Sequence, residues 1–190
     1  MDIEPIRILL PTFFNWVVFT ESIALVFLLF CSAMISGTEI AFFSLSKTDL
    51  DLLSKEHSPA ADRVLGLLNK PKKLLATILI ANNFINILIV LLFAVLGAYF
   101  FENMEVGIRF LIEVVLITFL ILLFGEVLPK VYATRNSIPF ALFMANPVVY
   151  LNRLLSPVSY LLTGLTGVVE RRLGKKDNDF SVSQWLKGNS

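Results

Sequence analysis

Apolar residues fall into long runs separated by short polar stretches. From Trp16 to Ser36 the only charge is Glu21, and from Leu74 to Phe101 there is none. These runs hold 21 and 28 residues, enough, as helices rising about 1.5 Å per residue, to cross a hydrocarbon core of roughly 30 Å. A third run, from about Gly107 to Pro129, has Arg109 and Glu113 near its start, Glu126 near its end and no charge from Val114 to Phe124. A fourth, 138–169, is interrupted by Pro139, Pro147 and Pro157 and carries Asn146, Asn152 and Arg153. Proline removes a helical donor, and irregular backbone is not tolerated against lipid. This stretch therefore predicts short helices at the membrane interface rather than a fourth crossing.

Between the first two runs the period changes. Ile40, Phe43, Leu50 and Leu53 recur helically from Glu39 to Leu53, and Ala61, Val64, Leu65 and Leu68 do so after Pro59. That pattern predicts a helical hairpin packed beneath the membrane. The fold class is thus an all-α membrane protein with spans at about 16–36, 74–101 and 107–129, a cytoplasmic hairpin, and a proline-broken juxtamembrane belt over 138–169. Residues 1–170 form one membrane domain, and 171–190 turn polar and read as a linker.

Composition agrees with the pattern: 56 % of the 190 residues are hydrophobic and 16 % charged, and mean hydropathy is +0.78. A net charge of +1, with basic residues scattered rather than striped, gives no footprint for nucleic acid. Cys31 is the only cysteine and His57 the only histidine, so neither a disulfide framework nor a Cys/His metal site is available. The N-terminus shows no basic region and no clear cleavage pattern, which keeps the first run in the mature protein. Neither an HExxH nor a GxSxG motif occurs, so the chain reads as a non-enzyme.

Charge in the connections sets orientation. The connection between the first two spans holds Lys47, Lys55, Arg63, Lys70, Lys72 and Lys73, the next holds Glu102 and Glu105 without a base, and Arg and Lys return after the third span. By the positive-inside rule the N-terminus lies outside and the C-terminus in the cytoplasm of a multi-pass inner-membrane protein.

A charge at mid-bilayer costs roughly 2.5–3.5 kcal/mol on insertion scales, so polar groups in or beside the spans are candidates for function. Ser32 and Ser36 share a face of the first span, with Gly37 and Glu39 following; the plain alternative makes Ser36 or Thr38 the cap of a new helix. Asn82, Asn83 and Asn86 interrupt the uncharged second span, as neutral oxygen ligands or as interhelical hydrogen-bond glue. In the run from Phe124 to Lys130, Pro129 has no N–H for the Gly125 carbonyl, leaving a free oxygen beside Glu126. The alternative there is a proline terminator with Glu126 and Lys130 as an i,i+4 pair. Glu21 and Glu113 read as residues reaching the outer headgroups. Hydroxyl, amide, carbonyl and carboxylate donors suit Mg²⁺ or Ca²⁺, with Na⁺ in the same class, over zinc, copper or iron.

These residues resemble the transmembrane domain of the CNNM/CorC (cyclin M-like) family of magnesium transport proteins. The matching pieces are Ser36-Gly37-Thr38-Glu39-Ile40-Ala41 with Ser44-Leu45-Ser46, then Leu79 to Asn86, then Phe124-Gly125-Glu126-Val127-Leu128-Pro129-Lys130. The resemblance implies a homodimer of three-span domains with a juxtamembrane belt. It implies a Mg²⁺ site made by Ser36, Asn82, Glu126 and the Gly125 carbonyl, with Ser44 as an addition, and Mg²⁺ export coupled to Na⁺. Ala81 departs from the family, which commonly has glycine before the first asparagine. The family's paired cytosolic CBS modules, the expected route to ATP binding, would follow residue 190. The competing function is a membrane scaffold or regulator, such as a gliding-motility-associated protein, that uses the ion structurally or as a sensor.

Orientation is directly testable. In a Cys31→Ala background, a cysteine at Asn103 should react with an impermeant reagent from outside and one at Ser58 only from inside. Reversed labelling would overturn the topology.

Overall fold

The computed structural model describes residues 4–56 and 58–157, with side chains from residue 16 onward. The linker 171–190, the end of the belt beyond residue 157, and His57 lie outside the described residues. Every described element is helical. The order is α1 (Glu4–Phe43), α2 (Lys47–Glu56), α3 (Pro59–Leu68), α4 (Pro71–Phe100), α5 (Val106–Leu120), a π-helical segment (Ile121–Val127), α6 (Leu128–Arg135) and α7 (Ser137–Leu154). Three helices are long and apolar enough to span a membrane: Trp16–Phe43, Pro71–Phe100 and Val106–Arg135.

The chain is a multi-pass membrane protein. The spans carry their large apolar side chains outward, Phe19, Ile23, Val26, Phe27 and Phe30 along α1 and Phe84, Ile87 and Leu91 along α4. Such a surface is stable against lipid and untenable against water. Buried side chains concentrate at one end. There Phe42 of α1, Leu53 of α2, Val64 of α3, Leu74 and Ile78 of α4, Ala133 of α6, and Phe140, Met144 and Val148 of α7 form one cluster. A smaller cluster of Ile89, Ile117 and Ile121 joins α4 to the third span.

Three boundaries depart from the pattern of the sequence. Helix α1 continues through Glu39 to Phe43 instead of ending at Ser36, so the first arm of the hairpin begins at Lys47 rather than Glu39. The break falls where a real cap exists. Ser46 Oγ accepts from the Asp49 backbone N–H at 3.2 Å, and the Ser46 N–H reaches Asp49 Oδ2 at 2.8 Å, a reciprocal capping box. The Ser46 hydroxyl and backbone N–H together hold the Asp49 carboxyl below its usual range.

The third span does not stop at Pro129 but runs on to Arg135: Val127 and Leu128 keep right-handed helical backbone, so the π-helical segment passes straight into α6 and the proline sits within a continuous helix. Helix α7 is likewise continuous through Pro147, so the belt is not broken there. An interior proline costs about 3 kcal/mol, but Ala141, Met144, Ala145 and Val148 are buried on both sides of it. Packing outweighs the lost bond. Asn152 of this helix accepts from the Thr77 hydroxyl at 3.1 Å, tying α7 to α4.

Two glycines fix close approaches. A Cβ on Gly37 would fall 2.6 Å from Phe140 Cζ, which places α7 directly across α1. Gly97 of α4 receives the Glu113 side chain of α5. Gly37→Val should lower the thermal stability of the detergent-solubilised protein by the roughly 1–3 kcal/mol of an overpacked contact. Gly66→Ala is the control: nothing lies within 4 Å of its added carbon, and an exposed helical site should gain up to about 1 kcal/mol.

Candidate cation site

The polar faces of α1, α4 and the π-helical segment meet inside the bundle. Ser32 and Ser36 lie one turn apart on α1, both fully buried, and Asn82 and Asn86 lie one turn apart on α4. The Ser32 hydroxyl donates to Asn86 Oδ1 at 2.8 Å and stands 3.5 Å from Asn82 Oδ1. One proton serves the shorter bond, so the Asn82 oxygen keeps acceptor capacity. The Asn86 amide nitrogen in turn faces Glu126 Oε1 at 3.5 Å. A chain thus runs from serine through asparagine to a carboxylate across three helices.

The third helix approaches because of what it lacks. Gly125 is buried, and a Cβ there would lie 3.0 Å from Ser32 Oγ. Leu128 gives its N–H to the carbonyl of Leu123, five residues back, in the widened register of a π-helix. Pro129 has no N–H to offer either Gly125, its i−4 residue, or Phe124, its i−5 residue. In that five-residue register the carbonyl opposite Pro129 is that of Phe124, beside Gly125 and Glu126, and it receives no N–H from the proline.

Two observations bear on what this pocket of oxygens can do. The Ser36 hydroxyl is buried with no hydrogen-bond partner among the described residues, and a buried polar atom left unmatched costs about 1–3 kcal/mol. The Glu126 carboxylate is not neutralised by the lysine four residues on, since Lys130 pairs with Glu39 at 3.2 Å. The i,i+4 surface pair that would have explained Glu126 away does not form. Among the described residues no three His, Cys, Asp or Glu side chains converge. The donors here are one carboxylate surrounded by neutral oxygens, the set suited to a hard cation.

The expected residues separate accordingly. Asn82 and Gly125 lie against Ser32, Glu126 faces Asn86, and Ser36 is buried one turn along α1 from Ser32. Ser44 stands exposed just past the end of α1, eight residues and about 12 Å along the axis from Ser36. Asn83 points elsewhere, donating to the Leu79 carbonyl of its own helix at 2.8 Å. Ser32 and Asn86, which the expected ligand set omitted, make the contacts that tie the three helices together. Their i,i+4 spacing from Ser36 and Asn82 was the available signal. Ser36 and Thr38 cap nothing: α1 runs through both, and Thr38 bonds back to the Met34 carbonyl at 2.7 Å.

Two further carboxylates lie on the spans. Glu113 binds Arg109 at 2.6 Å. Glu21 has one oxygen buried without a partner among the described residues, about 22 Å along α1 from Ser36, too far to share this site.

Comparison with known families settles the lineage. A family model described as the cyclin M transmembrane N-terminal domain matches residues 23–184. The chain belongs to the cyclin M (CNNM) family. It is 33 % identical over 156 residues to the inner membrane protein YfjD of Escherichia coli, covering 80 % of this chain and 34 % of that protein. It is also 33 % identical over 163 residues to the metal transporter cnnm-4 of Caenorhabditis elegans, covering 83 % of this chain and 33 % of that one. The chain thus spans about a third of the length of these relatives. Every residue of the serine–asparagine–carboxylate chain falls inside the matched CNNM region.

The approach at Gly125 can be checked on its own. Gly125→Val should wedge α1 from the third span and cost about 1–3 kcal/mol of thermal stability. Unchanged melting would show that the contact with Ser32 is not close.

Proposed function

We propose that this CNNM domain binds Mg²⁺ within the membrane and carries it outward in exchange for Na⁺. Its ligands are the Ser36 hydroxyl, the Asn82 amide oxygen, Glu126 and the Gly125 carbonyl. Ser32 and Asn86 hold Asn82 and Glu126 in place. The observation that supports this reading is the buried Ser36 hydroxyl with no partner among the described residues, one turn from Ser32, which reaches through Asn86 to Glu126, a carboxylate that Lys130 leaves for Glu39. A hard cation satisfies both at once. Mg²⁺ retains waters and takes few protein oxygens, in keeping with one carboxylate and a handful of neutral donors. The metal transporter cnnm-4 among the relatives supports metal as the cargo.

Membership of the family supports a homodimer, with the C-terminus and the α2–α3 hairpin in the cytoplasm as the basic connections indicate. Ala94 and Ala98 remain exposed on α4 as a place for close helix approach. ATP enters this reading only through cytosolic modules beyond the chain.

The test is Mg²⁺ calorimetry on the purified, folded protein together with Mg²⁺ flux into liposomes by the full-length protein. Glu126→Gln keeps the shape and removes the charge, so affinity should fall about tenfold or more. Asn82→Ala should also weaken binding. Pro129→Ala restores an N–H opposite the Phe124–Gly125 carbonyls and, by drawing backbone oxygen back into the helical ladder, should weaken binding without touching a side-chain ligand. Glu113→Gln should change affinity little, because that carboxylate is engaged with Arg109. Wild-type affinity in Glu126→Gln would remove the site. Intact binding without flux would identify a scaffold or sensor instead.

A further inference from the structure

The ion pair between Glu39 and Lys130 joins α1 to α6 at 3.2 Å, directly beyond the candidate site along both helices. Glu39 follows Ser36 by three residues and Lys130 follows Glu126 by four. Lys130 therefore has two carboxylates within reach. One is Glu39 across the helix interface, which it takes, and the other is Glu126 on its own chain, at the spacing where helical acid–base pairs form readily. Both members of the observed pair are little more than a third exposed, so water does not fully screen the choice.

We infer that Glu39 is a positioning residue that tethers Lys130 away from Glu126, and that Lys130 is a built-in competitor of the bound cation. The inference rests on the reading of Glu126 as a cation ligand. With the tether closed, the ammonium is neutralised by Glu39 and Glu126 faces the site with its full charge. With the tether open, the ammonium moves one turn along its own helix and occupies the carboxylate that the divalent ion needs. Any change in the spacing of α1 and α6 that separates Glu39 from Lys130 then lowers ion affinity at Glu126. The end of the bundle is thereby coupled to ion release, and the emptied carboxylate acquires a counter-charge from within the chain.

The idea predicts a sign pattern that a structural salt bridge does not. Glu39→Gln should weaken Mg²⁺ binding about fivefold, the scale of one partly exposed ion pair set against the site. Adding Lys130→Gln to Glu39→Gln should return affinity to within about twofold of wild type, because the competitor is gone. Lys130→Gln alone should bind at least as tightly as wild type, even if loss of the interhelical pair lowers the melting temperature. These are read by calorimetry on the purified, folded protein at fixed ionic strength, beside thermal unfolding of each variant.

Unchanged affinity in Glu39→Gln would overturn the tether. So would a loss that persists in the double variant, since Glu39 would then act on the ion itself, or a loss in Lys130→Gln alone, which remains informative should Glu39→Gln not fold. Glu126→Gln in the same series separates the two readings. Wild-type affinity there removes the site and the tether together, whereas a loss there with none in Glu39→Gln removes the tether alone.

Discussion

Inside a bilayer no water stands ready to occupy a vacated backbone oxygen, so a single missing N–H has consequences that it would not have in a soluble helix. Pro129 is where that N–H is missing in the third span. The residues before it shift into a register where Leu128 bonds Leu123, and Gly125 is buried against Ser32. A helix widened in this way aims Glu126 at α4 and then resumes as α6, which carries Lys130 to Glu39 of α1. Among the described residues, the cluster, a carboxylate without a basic partner and the ion pair beyond it all lie close to that proline.

The remaining architecture holds α1 still enough for that geometry to matter. The end of the bundle that carries Phe42, Leu53, Val64, Leu74, Phe140 and Val148 is the one part of the described chain packed like the interior of a soluble protein. Toward the other ends of the spans the contacts thin to small groups such as Ile89, Ile117 and Ile121. Ser32 and Ser36 sit where the tightly packed end gives way to the lipid-facing shafts. A site at such a boundary has a rigid side and a looser side, which is the arrangement that hinge-like opening requires.

Much of this was legible in the residues. Spans of this length with so few charges leave little choice of fold, and the spacing of Ser32 with Ser36 and of Asn82 with Asn86 places each pair on one face. What could not be read is what depends on the partner helix. Nothing in the sequence says whether Lys130 prefers Glu126 or Glu39, because the choice is made by the distance between α1 and α6. Pro147 reads as a break, yet burial of Met144, Ala145 and Val148 around it carries α7 through. In each case local propensity lost to a tertiary contact.

Charge balance adds one more step to the functional reading. Two of the four carboxylates on the described spans are matched: Glu39 by Lys130 and Glu113 by Arg109. Of the others, Glu21 lies far along α1, so Glu126 alone faces the serine–asparagine chain with a charge to give. A divalent ion held by one carboxylate and neutral dipoles is left with a net positive charge in a low-dielectric setting, and that surplus weakens its hold. Sites that trap ions permanently in proteins gather several carboxylates, as calcium loops do. A permeating or transported ion needs binding favourable enough to enter and weak enough to leave. The single-carboxylate arrangement has that character, which accords with the proposed carrier better than with an ion kept as part of the framework.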